Sequence, residues 1–258
     1  MKRKKEDNGL TTICKPDVVE KMYQVSTLSA LALGYTRTVV KVRDLLQNGD
    51  TGLGTFENCD GEMIVVDGHC YRAVDDGSVS ETSADLGVPF ASVVFLKNQE
   101  SFAVDTVENI DSLKALLNVK IEEHFGLNSM HMVRIDGFFK KVNARSESGL
   151  KAHHIELKEL LFERQKSFEF DNIAGSLVCL YYPDYMDGIN AAGWHFHFVS
   201  DDKRFGGHVF DLSLEKGEAK MEKITSIELQ LPREAAFDTY SLTKASQKDI
   251  KQVEQGNK

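Results

Sequence analysis

Trp194-His195-Phe196-His197-Phe198-Val199-Ser200, continued by Asp201-Asp202-Lys203-Arg204-Phe205-Gly206-Gly207-His208, is the stretch on which the reading of this chain turns. Side chains on a strand alternate between two faces, so the His/Phe alternation spells a β-strand. The Asp, Lys and Gly run is turn chemistry, and His208 opens a return strand. Three of the eight histidines in the chain fall in this one hairpin. His195 and His197 share a face. With the hairpin centre between Lys203 and Arg204, His208 pairs with Val199. It then shares the face of His197 as a diagonal neighbour, roughly 7–8 Å away. A register shifted by one residue puts His208 on the opposite face. In the first register the imidazoles converge on one ion, and three His ligands with an open position suit a catalytic Zn²⁺ or another divalent metal. The same alternation also fits an ordinary half-buried strand with His on its wetter side. Asp201, Asp202 and Asp211 are candidate acceptors for the outward nitrogens of ligand rings.

The remainder of the chain narrows the class. Its 258 residues allow one large domain or two small ones with a real core. With 41% hydrophobic and 28% charged residues, the balance is that of an ordinary globular protein. A net charge of −9 without a basic face speaks against nucleic acid as a partner. Lys2-Arg3-Lys4-Lys5 resembles the start of a signal peptide, but Glu6-Asp7-Asn8 follows where an apolar core belongs. No apolar run is long enough to span a membrane. Cys14, Cys59, Cys70 and Cys179 form no C-x-x-C pair and read as reduced thiols. Together these features are those expected of a cytoplasmic protein.

Along the chain, apolar spacing from Asp17 to Leu33 predicts a helix stopped by Gly34. A short strand and a helical turn follow around Val39–Leu46. Asp60-Gly61 and Asp67-Gly68 predict a meander of strands between Leu53 and Val79. Pro89–Leu96 reads as a strand, and Ile110–Phe125 as an amphipathic helix ended by Gly126. Met130–Val142 reads as a strand pair turning at Asp136-Gly137. Glu156–Phe168 has helical spacing, Gly175–Tyr182 is a buried strand, and Ile224–Leu231 is a last strand before a polar tail. Strands and helices mix without regular βαβ alternation, which predicts an α+β fold. The polar stretch Ser146–Ala152 is the weakest point, so two domains are expected, 1–150 and 151–258.

These residues also carry a resemblance. Gly49-Asp50 with Gly52-Leu53-Gly54-Thr55-Phe56, Asp60-Gly61-Glu62, Val65-x-Asp67-Gly68 with Tyr71, and Arg134-Ile135-Asp136-Gly137 come first. Ala144-Arg145-Ser146, Gly188-Ile189-Asn190, Gly193-Trp194-His195-Phe196-His197-Phe198, Ser200-Asp201-Asp202 and Gly206-Gly207-His208-Val209 follow. In these motifs the chain resembles bacterial α-acetolactate decarboxylase, almost from end to end. The resemblance implies a two-domain α+β fold on mixed sheets with peripheral helices, assembled as a homodimer. It implies Zn²⁺ on His195, His197 and His208, with active-site residues at Glu62, Arg145 and, in a tail folding over the site, Glu254. The reaction implied is metal-dependent decarboxylation of 2-acetolactate to acetoin and CO₂ through a metal-stabilised enediolate. Ala191-Ala192 and Trp194 depart from the family pattern, which predicts a differently shaped wall beside the metal.

By itself, Arg145 reads as a surface residue of a polar loop. Its planar fork also suits a carboxylate. Glu62 reads as a solvated strand-end carboxylate, or as a metal-site carboxylate and proton carrier. Whether Glu62 or Glu254 delivers the proton stays open. His153-His154 is a rival metal pair whose adjacent side chains diverge; His69, His124 and His131 stand alone. Two other functions fit the histidine triad. One is a different metal-dependent enzyme of small oxo or hydroxy acids, separable by its products. The other is a non-catalytic diol-binding protein, separable by a turnover assay.

Overall fold

The computed structural model describes residues 21–97, 99–123, 126–151 and 155–242. The chain runs β1 (Lys21–Val25), α1 (Leu28–Ala32), β2 (Val40–Lys41), α2 (Val42–Leu45), β3 (Thr51–Thr55), β4 (Glu62–Val66), β5 (His69–Ala73), β6 (Val79–Glu81), β7 (Gly87–Val88), β8 (Phe90–Val94) and β9 (Glu100–Val104). It continues with α3 (Ile110–Glu123), β10 (Met130–Glu147), α4 (Leu157–Arg164), β11 (Gln165–Tyr182), β12 (Gly193–Ser200), β13 (Gly206–Ile224) and β14 (Ser226–Gln230). The fold is α+β. A seven-stranded sheet has the order β14-β1-β8-β3-β4-β5-β6, with β1 and β14 parallel and its other pairs antiparallel. In the second sheet β10, β11, β12 and β13 pair in sequence and β10 also pairs with β13, so the strands close into a small antiparallel barrel with β9 on β13.

Burial explains the layering. Met22, Leu53, Ile64 and Val66 of the first sheet pack with Met132, Val178, Leu180 and Val199 of the second. This shared layer sets β4 against β12 and β13, and the candidate site sits there. The barrel's own core includes Val133, Ile135, Phe139, Leu177, Phe196 and Phe198, with α3 packed on it through Leu113, Leu117 and Ile121. Those three and Ile110 recur at helical spacing, and Asn109 Oδ1 accepts from Ser112 N at 2.8 Å as an N-cap. Both halves of the chain feed both sheets: β14 joins the first, while β9 and β10 belong to the second. Hydrogen bonding therefore crosses the division expected at residue 150. No helix among the described residues is long and apolar enough to cross a membrane.

Three expectations are corrected. Residues 21–25, predicted as helix, form strand β1. Met22 enters the layer between the sheets while Tyr23 and Val25 enter the opposite core, so both faces are buried and period-two polarity is hidden. Only Leu28–Ala32 is helical, capped by Thr27, whose side chain accepts from Ala30 N. Asp136-Gly137 is not a turn: β10 runs unbroken for 18 residues. Asp136 accepts from Arg134 Nε at 2.7 Å and Ser176 Oγ at 2.6 Å, and a Cβ on Gly137 would stand 2.6 Å from Lys216 O. The D-G pair there serves cross-strand bonding and close strand approach. Gln165–Tyr182 forms one strand, longer than the buried run 175–182: its first ten residues are exposed or half-buried, with Phe168, Phe170 and Ile173 packed on the barrel core between polar residues. The helix ahead of it ends at Arg164.

Candidate metal centre

Hairpin β12–β13 forms in a register two residues from the expected one. His197 pairs directly with His208, and Val199 with Gly206. The even shift leaves all three histidines on one face. The turn spans Ser200 to Phe205, with Ser200 N donating to Phe205 O at 2.8 Å. Ser200 Oγ accepts from Phe205 N, and Asp202 accepts from Ser200 Oγ.

The three imidazoles are buried and their nitrogens converge. His195 Nε2 lies 3.0 Å from both His197 Nε2 and His208 Nδ1. His197 Nδ1 donates to Met63 O at 2.8 Å, which leaves the lone pair on Nε2, facing the cluster. Met63 on β4 is therefore the acceptor that orients this ring. The aspartates act elsewhere: Asp202 in the turn, Asp211 accepting from Ile110 N, and Asp201 with its amide on Ala174 O. Burial pushes the His195 ring down to about 3, helped by the nearby Arg145 charge. Burial, then His195 and Arg145, hold His197 well below its usual value, against the opposing pull of the Met63 carbonyl. Both rings are neutral near pH 7, as metal ligands must be. Three ring nitrogens within 4.8 Å of one another fit one ion of Zn²⁺ size, whose ligand nitrogens stand about 3.3 Å apart in tetrahedral geometry.

Two further predicted residues stand beside the triad. Glu62 opens β4 after the Asp60-Gly61 turn, with its side chain 13% exposed. Its carboxylate reaches 3.3 Å from His197 Nε2 and 4.0 Å from His208 Nδ1. Gly61 makes that placement possible: its φ is +94°, and a Cβ there would stand 2.4 Å from Ala73 O. Gly61→Ala is expected to lower unfolding free energy by about 1–3 kcal/mol. An unchanged denaturation midpoint would show that the turn tolerates a side chain. Arg145, read alone as a loop residue, is 8% exposed in β10 opposite His208. Its Nη2 is 3.1 Å from His208 Nε2.

The site opens into a cavity of about 440 Å³, mouth included, walled by Leu31, Phe90, Leu157 and Leu161 and reached by Glu62, Arg145, His195 and His208. Thr55, paired opposite Glu62, and Glu147, two residues beyond Arg145, also line it and were missed from sequence. Extending β10 past Val142 would have found Glu147 on the face of Arg145.

Of the other expectations, that for Trp194 is corrected. Trp194 is not on the metal wall: it faces the barrel core, and its Nε1 donates to Asn118 Oδ1 at 2.8 Å. Alternation along β12 turns it away from His195. Ala191 does pack with Leu31, Phe90 and Leu157 near the cavity. His69 is exposed and pairs with Glu81, while His131 is buried with Nδ1 3.1 Å from Ser129 O. Cys59, Cys70 and Cys179 are buried free thiols. Glu254, His124, His153, His154 and Cys14 lie outside the described residues.

Known proteins match along most of the chain. The family described as alpha-acetolactate decarboxylase matches residues 22–244. The alpha-acetolactate decarboxylase of Methanosarcina mazei is 37% identical over 234 residues, covering 90% of this chain and 80% of that protein. Its namesake from Bacillus subtilis is 31% identical over 255 residues, 98% of each. The crystal structure of the Bacillus subtilis strain 168 protein superposes with a TM-score of 0.85 at 31% identity, covering 91% of this chain and 99% of that one.

Proposed function

The chain belongs to the alpha-acetolactate decarboxylase family and is a decarboxylase; from that premise we propose that it converts 2-acetolactate to acetoin and CO₂ with one divalent metal, Zn²⁺ first among candidates, on His195, His197 and His208. The observation that carries the metal is the convergence of three buried imidazole nitrogens beside the Glu62 carboxylate. When bound, the ion supplies Lewis acidity toward the vicinal hydroxyl and ketone oxygens of the substrate.

The chain's own groups account for the rest. Arg145 presents two parallel N–H donors to the substrate carboxylate, so that the breaking C–C bond stands perpendicular to the ketone plane. The role is orientation, because the negative charge leaves that carboxylate as CO₂ departs and a tight grip would favour the ground state. The electron pair of the broken bond passes into the ketone as an enediolate, and a proton on the carbon that carried CO₂ completes acetoin. Glu62 faces the cavity and is one candidate for holding that proton. Glu254 is the other candidate. Leu31, Phe90, Leu157 and Leu161 keep water from the carbanion.

The same reading includes a homodimer, a cytoplasmic setting and no nucleic-acid partner; the reduced thiols and net charge of −9 support the last two. The deciding experiment gives racemic acetolactate to the metal-loaded full-length protein. Equimolar CO₂ and acetoin are expected. Another product would assign a different metal-dependent reaction, and binding without turnover would make the chain a diol-binding protein.

A further inference from the structure

Glu147 is a buried carboxylate that this reaction scheme leaves without a task. It ends β10, is 3% exposed, and lines the same cavity as Arg145. The two share a face of the strand, about 6.6 Å apart along it. Gln165, opposite Glu147 on β11, is also on the cavity wall. The charge of Glu147 is felt within the cavity: the Cys59 thiol is pushed well above its usual value by burial first, then by Glu147 and Glu62. A pocket built only to capture an anion would not line itself with a buried acid on the strand face of its arginine, because like charges repel strongly where water is scarce. Decarboxylation gives such an acid a use. The substrate's negative charge begins on the carboxylate near Arg145 and ends on the oxygens at the other side of the molecule. Repulsion from Glu147 acts on the charge at its starting position and fades as the charge moves, so it raises the ground state more than the transition state.

We propose that Glu147 is a positioning residue that opposes the field of Arg145, so that the substrate carboxylate is oriented but held loosely enough to leave as CO₂. The proposal rests on the decarboxylase reading above. Glu147 touches no reacting atom in it; its charge offsets that of Arg145 at the substrate carboxylate.

The test uses the full-length, zinc-loaded protein. Glu147→Gln should lower KM for acetolactate about tenfold and lower kcat by a similar factor, so that kcat/KM hardly moves; tenfold corresponds to about 1.4 kcal/mol. Glu147→Asp keeps the charge and should return both constants to within about threefold of the parent. An unchanged or raised KM in Glu147→Gln overturns the proposal, and so does a lowered KM with unchanged kcat. A second measurement needs no variant. Calorimetry on the parent compares unreactive 2-hydroxy-2-methylpropanoate with its neutral amide. A preference for the carboxylate under about tenfold supports the opposing charge, and one above about 100-fold sinks it. If acetolactate is never turned over, the decarboxylase reading fails, while this binding comparison still decides whether Glu147 offsets Arg145.

Discussion

Replacing His197 by alanine is expected to remove the metal and, with it, at least about 10³-fold of the activity, since a Lewis acid contributes several kcal/mol of charge stabilisation. His197 is firmly held in place. It is 1% exposed, and its Nδ1–H is spent on Met63 O at 2.8 Å, so Nε2 has its lone pair aimed at the cluster. Losing this donor leaves two imidazoles, and metal affinity should fall by more than about 100-fold, beyond what removal of a mere supporting hydrogen bond does. Stability gives an independent readout. An ion held by the folded triad would favour the folded chain over the unfolded one, so added Zn²⁺ should raise the melting temperature of the parent. His197→Ala should lose that rise. The metal-free variant should still fold, because β12 is held by a full ladder to β11 and its apolar face by Phe196 and Phe198. Elemental analysis that finds one ion per chain in the variant would remove His197 from the site.

The legibility of this site in sequence has a physical basis. Period-two alternation depends only on the parity of the register, so His195, His197 and His208 shared a face although the pairing lies two residues from the expected one. Turn chemistry was less dependable. Asp60-Gly61 and Asp67-Gly68 do turn, with positive φ at both glycines, whereas Asp136-Gly137 lies inside a continuous strand. The difference is tertiary: Ser176 and Arg134 take up the Asp136 carboxylate, and a neighbouring strand crowds Gly137. Ending that strand early hid Glu147 and left Arg145 looking like a loop residue. The role of Met63 was invisible because its carbonyl, not its side chain, faces His197. Backbone groups leave no trace in residue identity.

Arg145→Lys is expected to lower kcat/KM by about 10–100-fold, the worth of one charge-assisted, two-pronged contact of 1.5–3 kcal/mol. The variant keeps the positive charge, so it isolates shape. Arg145 reaches the cavity from near the end of β10, paired on both sides, with Ser167 on β11 and His208 on β13, and its guanidinium stands 3.1 Å from His208 Nε2. From that root a lysine offers a single ammonium that cannot meet both oxygens of a carboxylate. The substrate would then rotate about its metal-facing end, and the C–C bond would spend less time perpendicular to the ketone. Loss of alignment should appear chiefly in kcat, with zinc content and melting temperature near those of the parent, because Arg145 is not one of the ligand imidazoles. That pattern separates orientation from simple attraction: if Arg145 served only as a positive charge, lysine would restore most of the rate. Kinetics equal to the parent, with metal and stability intact, would show that the fork is unused and that the carboxylate is oriented by other walls of the cavity.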